Sequence, residues 1–262
     1  MMRSLWTAAT GMNAQTMNVD VIANNLANVN TAGFKRGRAN FQDLMYQQVK
    51  DPGTTSSAGG NQLPSGIQIG LGVETSSVSH LFSSGSMKQT SNPLDLAIKG
   101  RGFFEVLMGN GELAYTRAGS FSVDAQGQLV TANGDVVQPA ITIPTDAINI
   151  NIGTDGTVSV SQPGNTNSVV GQITTVDFSN QGGLKMLGGS LYQPSNASGQ
   201  PIAGTPGSNG FGGLGQGMLE MSNVNMVEEM VNLIAGQRAY EMNSKAIKAA
   251  DQMLQTANTL RR

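Results

Sequence analysis

The stretch Leu5–Val29, LWTAATGMNAQTMNVDVIANNLANV, decides the fold at the first end of this chain, because apolar residues recur in it every three or four positions. Seven of the eight residues at that spacing are apolar, namely Leu5, Ala8, Met12, Val19, Ile22, Leu26 and Val29. Such a row is typical of an amphipathic helix with a coiled-coil-like seam. Ser4 is a suitable N-cap and Gly33 a natural stop, so we predict a helix from about Ser4 to about Asn30.

The other end of the chain carries a second stripe with a wide apolar front. Its residues are Met226, Met230, Leu233, Tyr240, Ile247, Ala250, Leu254 and Ala257, widened by Val224, Val227, Val231 and Ile234. Asn225 and Glu228 have capping-box spacing and predict a helix that starts near Asn225. The two helices can cover each other, but the wide front leaves apolar area that other copies of the chain would cover. We therefore predict a subunit interface drawn from Leu5, Met12, Val19, Ile22, Leu26, Val29, Val227, Met230, Val231, Leu233, Ile234, Tyr240, Ile247 and Leu254.

The middle of the chain consists of turns and short strand-like runs. Gly totals 34 and Pro 9, and every Pro lies between Pro52 and Pro206. Asn133-Gly134 and Asp155-Gly156 stand between short apolar runs and are hairpin signals. We predict an α+β fold in which an inserted, mainly antiparallel β-domain separates the helices of a terminal core domain. The predicted boundaries are 1–33 for the first helix, 34–72 for an extended linker, 73–193 for the β-domain, 194–222 for a return linker and 223–262 for the last helix.

Composition excludes several classes of protein. The net charge of −2 gives no basic surface for nucleic acid or an anionic membrane. The absence of Cys excludes disulfides, thiolate metal sites and Cys nucleophiles. No stretch approaches the ~18 apolar residues of a membrane span. Asn13, Gln15 and Asn18 interrupt any apolar signal core near the N-terminus, so export of this chain would use a route without a cleaved signal peptide.

Candidate catalytic or cofactor residues are few. The chain has one His, His80, which cannot build a His-rich metal site. Gly210–Gly215 matches G-x-G-x-x-G, but Pro206 precedes it instead of a strand, so we interpret it as a flexible linker. Asp124, Asp135 and Asp155 lie in turns without the alternating ligands of a calcium loop. We therefore expect a protein that is not an enzyme and has no cofactor or metal.

Four separated stretches resemble the flagellar basal-body rod and hook family. They are ANNLANVNTAGFKR (Ala23–Arg36), LDLAIKGRGFF (Leu94–Phe104), YTRAGSF (Tyr115–Phe121) and the tail Ser222–Leu254. The residues that carry the first two motifs are Asn24, Asn25, Asn28, Gly33, Phe34, Lys35, Gly100, Gly102, Phe103 and Phe104. The opening Arg3–Gln15 and the segment Leu63–Val73 point to the distal-rod branch of the family.

The resemblance implies a structural subunit of the rigid helical tube that transmits motor torque to the hook. It implies export through the flagellar type III apparatus, self-assembly between periplasm and outer membrane, and contacts with proximal rod proteins, the hook protein and the surrounding ring proteins. It also implies that residues 47–72 form a rod-type loop that stiffens the tube. The alternatives are the other rod protein of similar length, a hook-type subunit, or a β-rich extracellular fibre or adhesin.

Overall fold

Each end of the chain forms a long helix in the computed structural model, which describes residues 2–53 and 64–260. Helix α1 spans Met2–Ala27 and helix α2 spans Met226–Leu260. Glu228 and Glu229 lie in the first turn of α2, where a carboxylate interacts favourably with the positive end of the helix dipole. Both helices were predicted, and their ends differ from the prediction by up to three residues.

Between the helices, the described part of the chain forms short strands. In chain order they are β1 (Gly37–Asp43), β2 (Tyr46–Lys50), β3 (Ile67–Gly70), β4 (Val73–His80), β5 (Met87–Gln89), β6 (Leu96–Lys99), β7 (Phe103–Leu107), β8 (Leu113–Thr116), β9 (Phe121–Val123), β10 (Leu129–Thr131), β11 (Val136–Gln138), β12 (Asn149–Ile152), β13 (Thr157–Gln162), β14 (Asn165–Gln172), β15 (Thr175–Asp177), β16 (Lys185–Gly188), β17 (Leu191–Gln193), β18 (Ile202–Gly204), β19 (Gly213–Gln216) and β20 (Met218–Glu220). A short 3-10 turn, Gln181–Gly183, precedes β16.

The chain divides into two compact units. The first comprises Met1–Leu26, Gly37–Ser79 and Met226–Arg262, and the second comprises Ala27–Arg36 and His80–Asn225. Strand β1 pairs with β4 and β2 pairs with β3. In the second unit, one sheet runs β16-β17-β8-β7-β11-β10-β9, with β15 joining β7 to β18, and a smaller sheet runs β12-β13-β14. Two further pairs, β19 with β6 and β20 with β5, are antiparallel like the rest.

Helices α1 and α2 contact each other in antiparallel orientation. A Cβ at Gly11 would lie 3.0 Å from Asn243 Nδ2, and a Cβ at Gly236 would lie 3.2 Å from Val19 Cγ2. Nearer the end of α1, the Asn25 side chain reaches Glu229. Because the α2 partners descend as the α1 positions rise, the two helices run in opposite directions along a shared line of contact, which we call the seam.

The central sheet of the second unit is covered on both faces, as the alternation in β7 shows. Phe104 and Val106 lie in a large aliphatic core with residues from β6, β9 and β10. Phe103 points the other way, into a smaller cluster with Tyr115, Phe178 and Tyr192. The rings in that cluster meet edge to face, with Phe103 and Phe178 centroids 5.9 Å apart. Residues 73–193 were predicted to be a β-domain, and this region does consist of strands and turns. The bounds differ, because nearly all of β4 belongs to the first unit and the second unit continues to Asn225.

Two predicted linkers are wrong in part. Residues 34–72 were predicted to be extended, but the described portion contains β1, β2 and β3, because Ile67 and Ile69 alternate with polar residues as strands do. Residues 54–63 of the predicted rod-type loop lie outside the described residues. The predicted return linker 194–222 contains β18, β19 and β20.

The Gly210–Gly215 motif is correspondingly neither a phosphate loop nor a free linker. Strand β19 begins at Gly213 and pairs with β6. A Cβ at Gly212 would lie 2.8 Å from the Lys99 carbonyl oxygen, so glycine here permits two backbones to approach closely. The prediction of a flexible linker is wrong here, because these glycines allow close contact between strands.

Candidate assembly surface

The seam takes up one part of the predicted interface residues. Ile22 is buried, and seven others on the two helices are half-buried, namely Leu5, Met12, Val19, Leu26, Leu233, Ile247 and Leu254. Val29 is half-buried too, but it follows the end of α1 and belongs to the second unit, so it is not part of the seam. The α2 positions among them share the helix face of Gly236, Asn243 and Ala250, which recur at the heptad spacing of a helix pair. Their apolar surface is partly covered within the chain, so these residues alone do not form a surface that another subunit could cover.

The other predicted interface residues on α2 remain on the surface. Val227 is 72% exposed, Val231 60% and Ile234 52%. Met226 and Met230 lie beside them and are also exposed. At about 100° per residue, this group points roughly away from the seam. We call these five residues the apolar front: Met226, Val227, Met230, Val231 and Ile234.

The apolar front is confined to the first turns of α2. The same helix face continues with exposed polar residues, namely Arg238, Glu241, Lys245, Lys248 and Gln252. Arg238 and Glu241 form an exposed ion pair with an N–O distance of 3.2 Å. The line of α2 that contains Ile234 therefore changes from apolar to charged along the helix, while Met242 and Met253 are exposed further along the line of Val231. The five apolar side chains therefore lie next to one another on the surface of the single chain.

The free end of α1 adds two large exposed apolar side chains. Met2 is 78% exposed and Trp6, the single Trp of the chain, is 66% exposed. The remaining predicted interface residue, Tyr240, is exposed and lines a shallow groove between the helices with Gln15, Thr16, Val19, Gln237 and Glu241. The first unit thus presents apolar groups near both ends of its helix pair.

The ribbon formed by β2 and β3 also exposes apolar side chains. Tyr46 is 54% exposed, Val49 54% and Ile67 49%. The Tyr46 ring lies over Gly70 in the paired strand, so it shields one small residue rather than a core. A two-stranded ribbon with this much apolar exposure is marginal on its own and gains stability from a covering partner.

The family-motif residues near the end of α1 have structural roles that the fold makes clear. Asn24 is exposed, Asn25 is buried, and Asn28 accepts a hydrogen bond from the Thr31 hydroxyl. Gly33 has a φ of 71°, and a Cβ there would lie 2.4 Å from the Ala118 nitrogen. No other residue fits that position without moving the backbone.

The strand motif of the family lies in the core of the second unit. Gly100 and Gly102, with φ values of 132° and 131°, flank the turn that enters β7. Phe103 and Phe104 then fill the two opposite cores of the sheet. Phe34 is buried as well. These residues shape the core and the turns of the second unit.

A buried charge cluster in the second unit was not predicted from the sequence. Glu220 accepts a hydrogen bond from Lys35 Nζ at 2.7 Å and another from Arg117 Nη1 at 3.1 Å. Lys35 also donates to the Ser83 carbonyl oxygen at 2.8 Å, and the Gly85 amide donates to Glu220. The Arg117 guanidinium lies over the Phe103 ring, 5.2 Å from its centroid. Burial lowers the pKa of Lys35 below its ordinary value, although the Glu220 carboxylate opposes that shift.

His80 and two of the turn aspartates contact nearby backbone groups. His80 is half-buried, and its Nδ1 lies 3.4 Å from the Lys35 carbonyl oxygen. Asp124 and Asp155 bind backbone amides of their own turns. Within residues 2–53 and 64–260, no group of three or more His, Asp and Glu side chains is placed to hold a metal ion. No helix among these residues is long and apolar enough to span a membrane.

Sequence profiles of flagellar proteins match three parts of the chain. The profile described as "Flagella basal body rod protein" matches residues 5–35. The one described as "Flagellar hook protein FlgE/F/G D1 domain" matches residues 97–160, and "Flagellar basal body rod FlgEFG protein C-terminal" matches residues 216–260. The matched regions contain α1, the central strands and α2.

Full-length relatives agree with the profiles. The chain is 52% identical to the flagellar basal-body rod protein FlgG of Buchnera aphidicola subsp. Schizaphis graminum, over 99% of this chain and 100% of that one. It is 51% identical to the protein of the same name from Caulobacter vibrioides, with the same coverage. Among solved structures, the Helicobacter pylori flagellar hook protein FlgE2 is similar with 15% identity and a TM-score of 0.24, over 71% of this chain and 43% of that one.

Proposed function

This chain belongs to the flagellar basal-body rod protein family, and from that premise we propose that it builds the rod by polymerising through the apolar front of α2. It is a structural protein of the basal-body rod and not an enzyme. The observation that carries the proposal is the exposure of Val227, Val231 and Ile234 on the side of α2 away from the seam. Their burial against another copy supplies a driving force that folding alone leaves unused.

Polymerisation follows from the kind of contact that the surface permits. The apolar front lies near the start of α2, whereas Met2 and Trp6 lie at the start of α1, which the antiparallel pairing places near the opposite end of the helix pair. Different surfaces at two ends favour a head-to-tail contact, and a head-to-tail contact that does not close gives a helical filament. We propose that α1 and α2 pack as a coiled coil in the assembled rod.

The remaining features of the proposal rest on family membership. We propose that the chain is exported by the flagellar type III apparatus without a cleaved signal peptide and assembles between the periplasm and the outer membrane. Its proposed neighbours are proximal rod proteins, the hook protein and the surrounding ring proteins. The β2–β3 ribbon leads into the predicted rod-type loop, and its exposed Tyr46 and Ile67 suit a position between adjacent subunits that stiffens the tube.

The test places a carboxylate in the apolar front. Fully burying an Ile contributes about 1.5–3 kcal/mol, so the half-exposed Ile234 has about 1 kcal/mol still to gain on assembly. An unpaired carboxylate in its place adds a desolvation cost. Since about 1.4 kcal/mol is a factor of ten, Ile234→Asp is expected to raise the critical concentration for assembly at least about tenfold. Sedimentation measures the critical concentration, and negative-stain microscopy confirms that the sedimented material is filamentous.

Gln252→Asp is the matched control. Gln252 lies eighteen residues after Ile234, which is five turns at about 3.6 residues per turn, so the two side chains share a helix face. The control adds the same charge in the polar part of that face and is expected to assemble like the unmodified chain. Equal critical concentrations for the two variants would rule out the apolar front as the contact.

A further inference from the structure

A buried polar contact joins α1, β1 and α2 within the first unit. Asn25 Nδ2 donates to the Gly37 carbonyl oxygen at 2.8 Å and to Glu229 Oε2 at 3.2 Å. Asn25 Oδ1 accepts from the Gly37 amide at 2.8 Å. Asn25 is 2% exposed and Glu229 is 1% exposed. We call this arrangement the polar clamp.

The chemistry of the polar clamp requires an amide at position 25. The Asn25 side chain uses both of its N–H donors and its carbonyl oxygen, and it pairs with Gly37 as one backbone amide pairs with another. A carboxylate at this position would lose both donors and would face the Glu229 carboxylate. An apolar side chain would leave polar groups of Gly37 and Glu229 to find other partners in a buried place.

The rest of the seam would allow α2 to pack against α1 in more than one alignment. Glu229, Gly236, Asn243 and Ala250 follow one another at intervals of seven residues. A slip of α2 by one heptad would bring Ala250 to the place of Asn243, and its small side chain would fit beside Gly11. The same slip would move Glu229 about 10 Å from Asn25 at 1.5 Å per residue. A single buried polar contact is a known means of fixing the register of paired helices.

We infer that Asn25 and Glu229 determine the register of the terminal helix pair. The apolar seam supplies the attraction between α1 and α2, and the polar clamp selects one alignment among those that the seam permits. This alignment also sets where the apolar front lies relative to Trp6. If the chain polymerises as proposed above, on which this step rests, the alignment therefore sets the repeat distance of the assembly. This gives Asn25 of the family motif a role apart from the turn that follows it.

Cysteine pairs report the register directly, because the chain has no Cys of its own. Gly11→Cys with Asn243→Cys is the in-register pair, since a Cβ at Gly11 lies 3.5 Å from Asn243 Cγ. Gly11→Cys with Ala250→Cys reports a slip of one heptad. Oxidation is carried out on dilute full-length monomer, and peptide mass mapping measures each disulfide. With the polar clamp intact, the first pair is expected to close and the second to remain at least tenfold less oxidised.

The decisive background is Asn25→Leu with Glu229→Leu, which removes both side chains of the polar clamp together. Circular dichroism is expected to show that the helix content is unchanged. The yield of the slipped disulfide is expected to rise to within about threefold of the yield of the in-register disulfide. Retention of the tenfold preference in this background would overturn the inference, because the register would then be set elsewhere in the seam.

A second set of variants decides the matter if the double Leu variant does not fold. Asn25→Asp alone is expected to lose most of the in-register disulfide, and adding Glu229→Gln is expected to restore at least half of it, since Gln can donate to the new carboxylate. An in-register disulfide that Asn25→Asp leaves unchanged would overturn the inference. All these measurements are made on monomer, so a failure of polymerisation refutes the proposed function and leaves the register result intact.

Discussion

Glu220→Gln tests whether the buried charge cluster secures the second unit. Glu220 is fully buried and accepts hydrogen bonds from Lys35, Arg117 and the Gly85 amide. The substitution keeps the shape of the side chain but removes its charge, and it turns one acceptor into an amide donor that faces a cation. Lys35 and Arg117 then remain buried with their principal counterion removed.

The expected loss of stability in Glu220→Gln follows from the free-energy cost of breaking a buried ion pair, which is about 3–5 kcal/mol. For a unit that consists of residues 27–36 and 80–225, each kcal/mol lowers the midpoint of thermal unfolding by about 2–4 °C. Glu220→Gln is therefore expected to lower the midpoint by about 10 °C. Circular dichroism and guanidinium titration of the full chain measure the change in the free energy of unfolding.

Glu241→Gln is the matched control for this substitution. Glu241 pairs with Arg238 on the exposed face of α2, where removal of the charge is expected to cost less than about 1 kcal/mol. A loss at Glu220 no larger than the loss at Glu241 would refute the reasoning. The triple variant Lys35→Met, Arg117→Leu and Glu220→Leu, which leaves no unpaired charge, is expected to recover much of the stability lost in Glu220→Gln.

Three further predictions concern buried tyrosines and the rod-type loop. The Tyr192 hydroxyl is buried with no hydrogen-bond partner among the described residues, so Tyr192→Phe is expected to raise the free energy of unfolding by up to about 1 kcal/mol, and a loss above that size would contradict this. Burial and Glu105 raise the pKa of Tyr115 to about 12, against about 10 when unfolded, so its contribution to stability is present below pH ~10 and is lost as the pH rises to ~12. Unfolding midpoints between these pH values should fall less steeply in Tyr115→Phe than in the unmodified chain. Deletion of residues 54–65 should leave filaments that are curved or more flexible in electron micrographs, whereas straight filaments of unchanged stiffness would place rigidity in the helices.

The features that the sequence predicted correctly are those that short-range periodicity determines. Residues with period three and four gave both terminal helices, and Asn-Gly and Asp-Gly turns gave the antiparallel character of the middle. The apolar stripe on α2 was also visible, but its division into seam and apolar front was not. That division depends on how α2 is rotated against α1, and the side chains that decide it include Glu229 and Asn243, which are polar and do not stand out as contact residues.

Contacts between distant positions account for what the sequence did not reveal. Lys35, Arg117 and Glu220 meet because three separate strands and turns bring them together, and no local pattern marks a charged residue as buried. Asn25 was identified only as part of a sequence motif, and its partners Gly37 and Glu229 lie 12 and 204 positions away along the chain. The strands β18, β19 and β20 were missed because Gly-rich composition normally indicates a loop.

Burial of the apolar front on polymerisation is the claim that Val231→Cys tests most directly. Val231 is 60% exposed in the single chain, and the absence of native Cys makes the introduced thiol unique. The rate of maleimide labelling is measured in dilute monomer and again in sedimented filaments. We expect the rate to fall at least tenfold in the filament. An equal rate in the two states, with filaments confirmed by microscopy, would contradict the account.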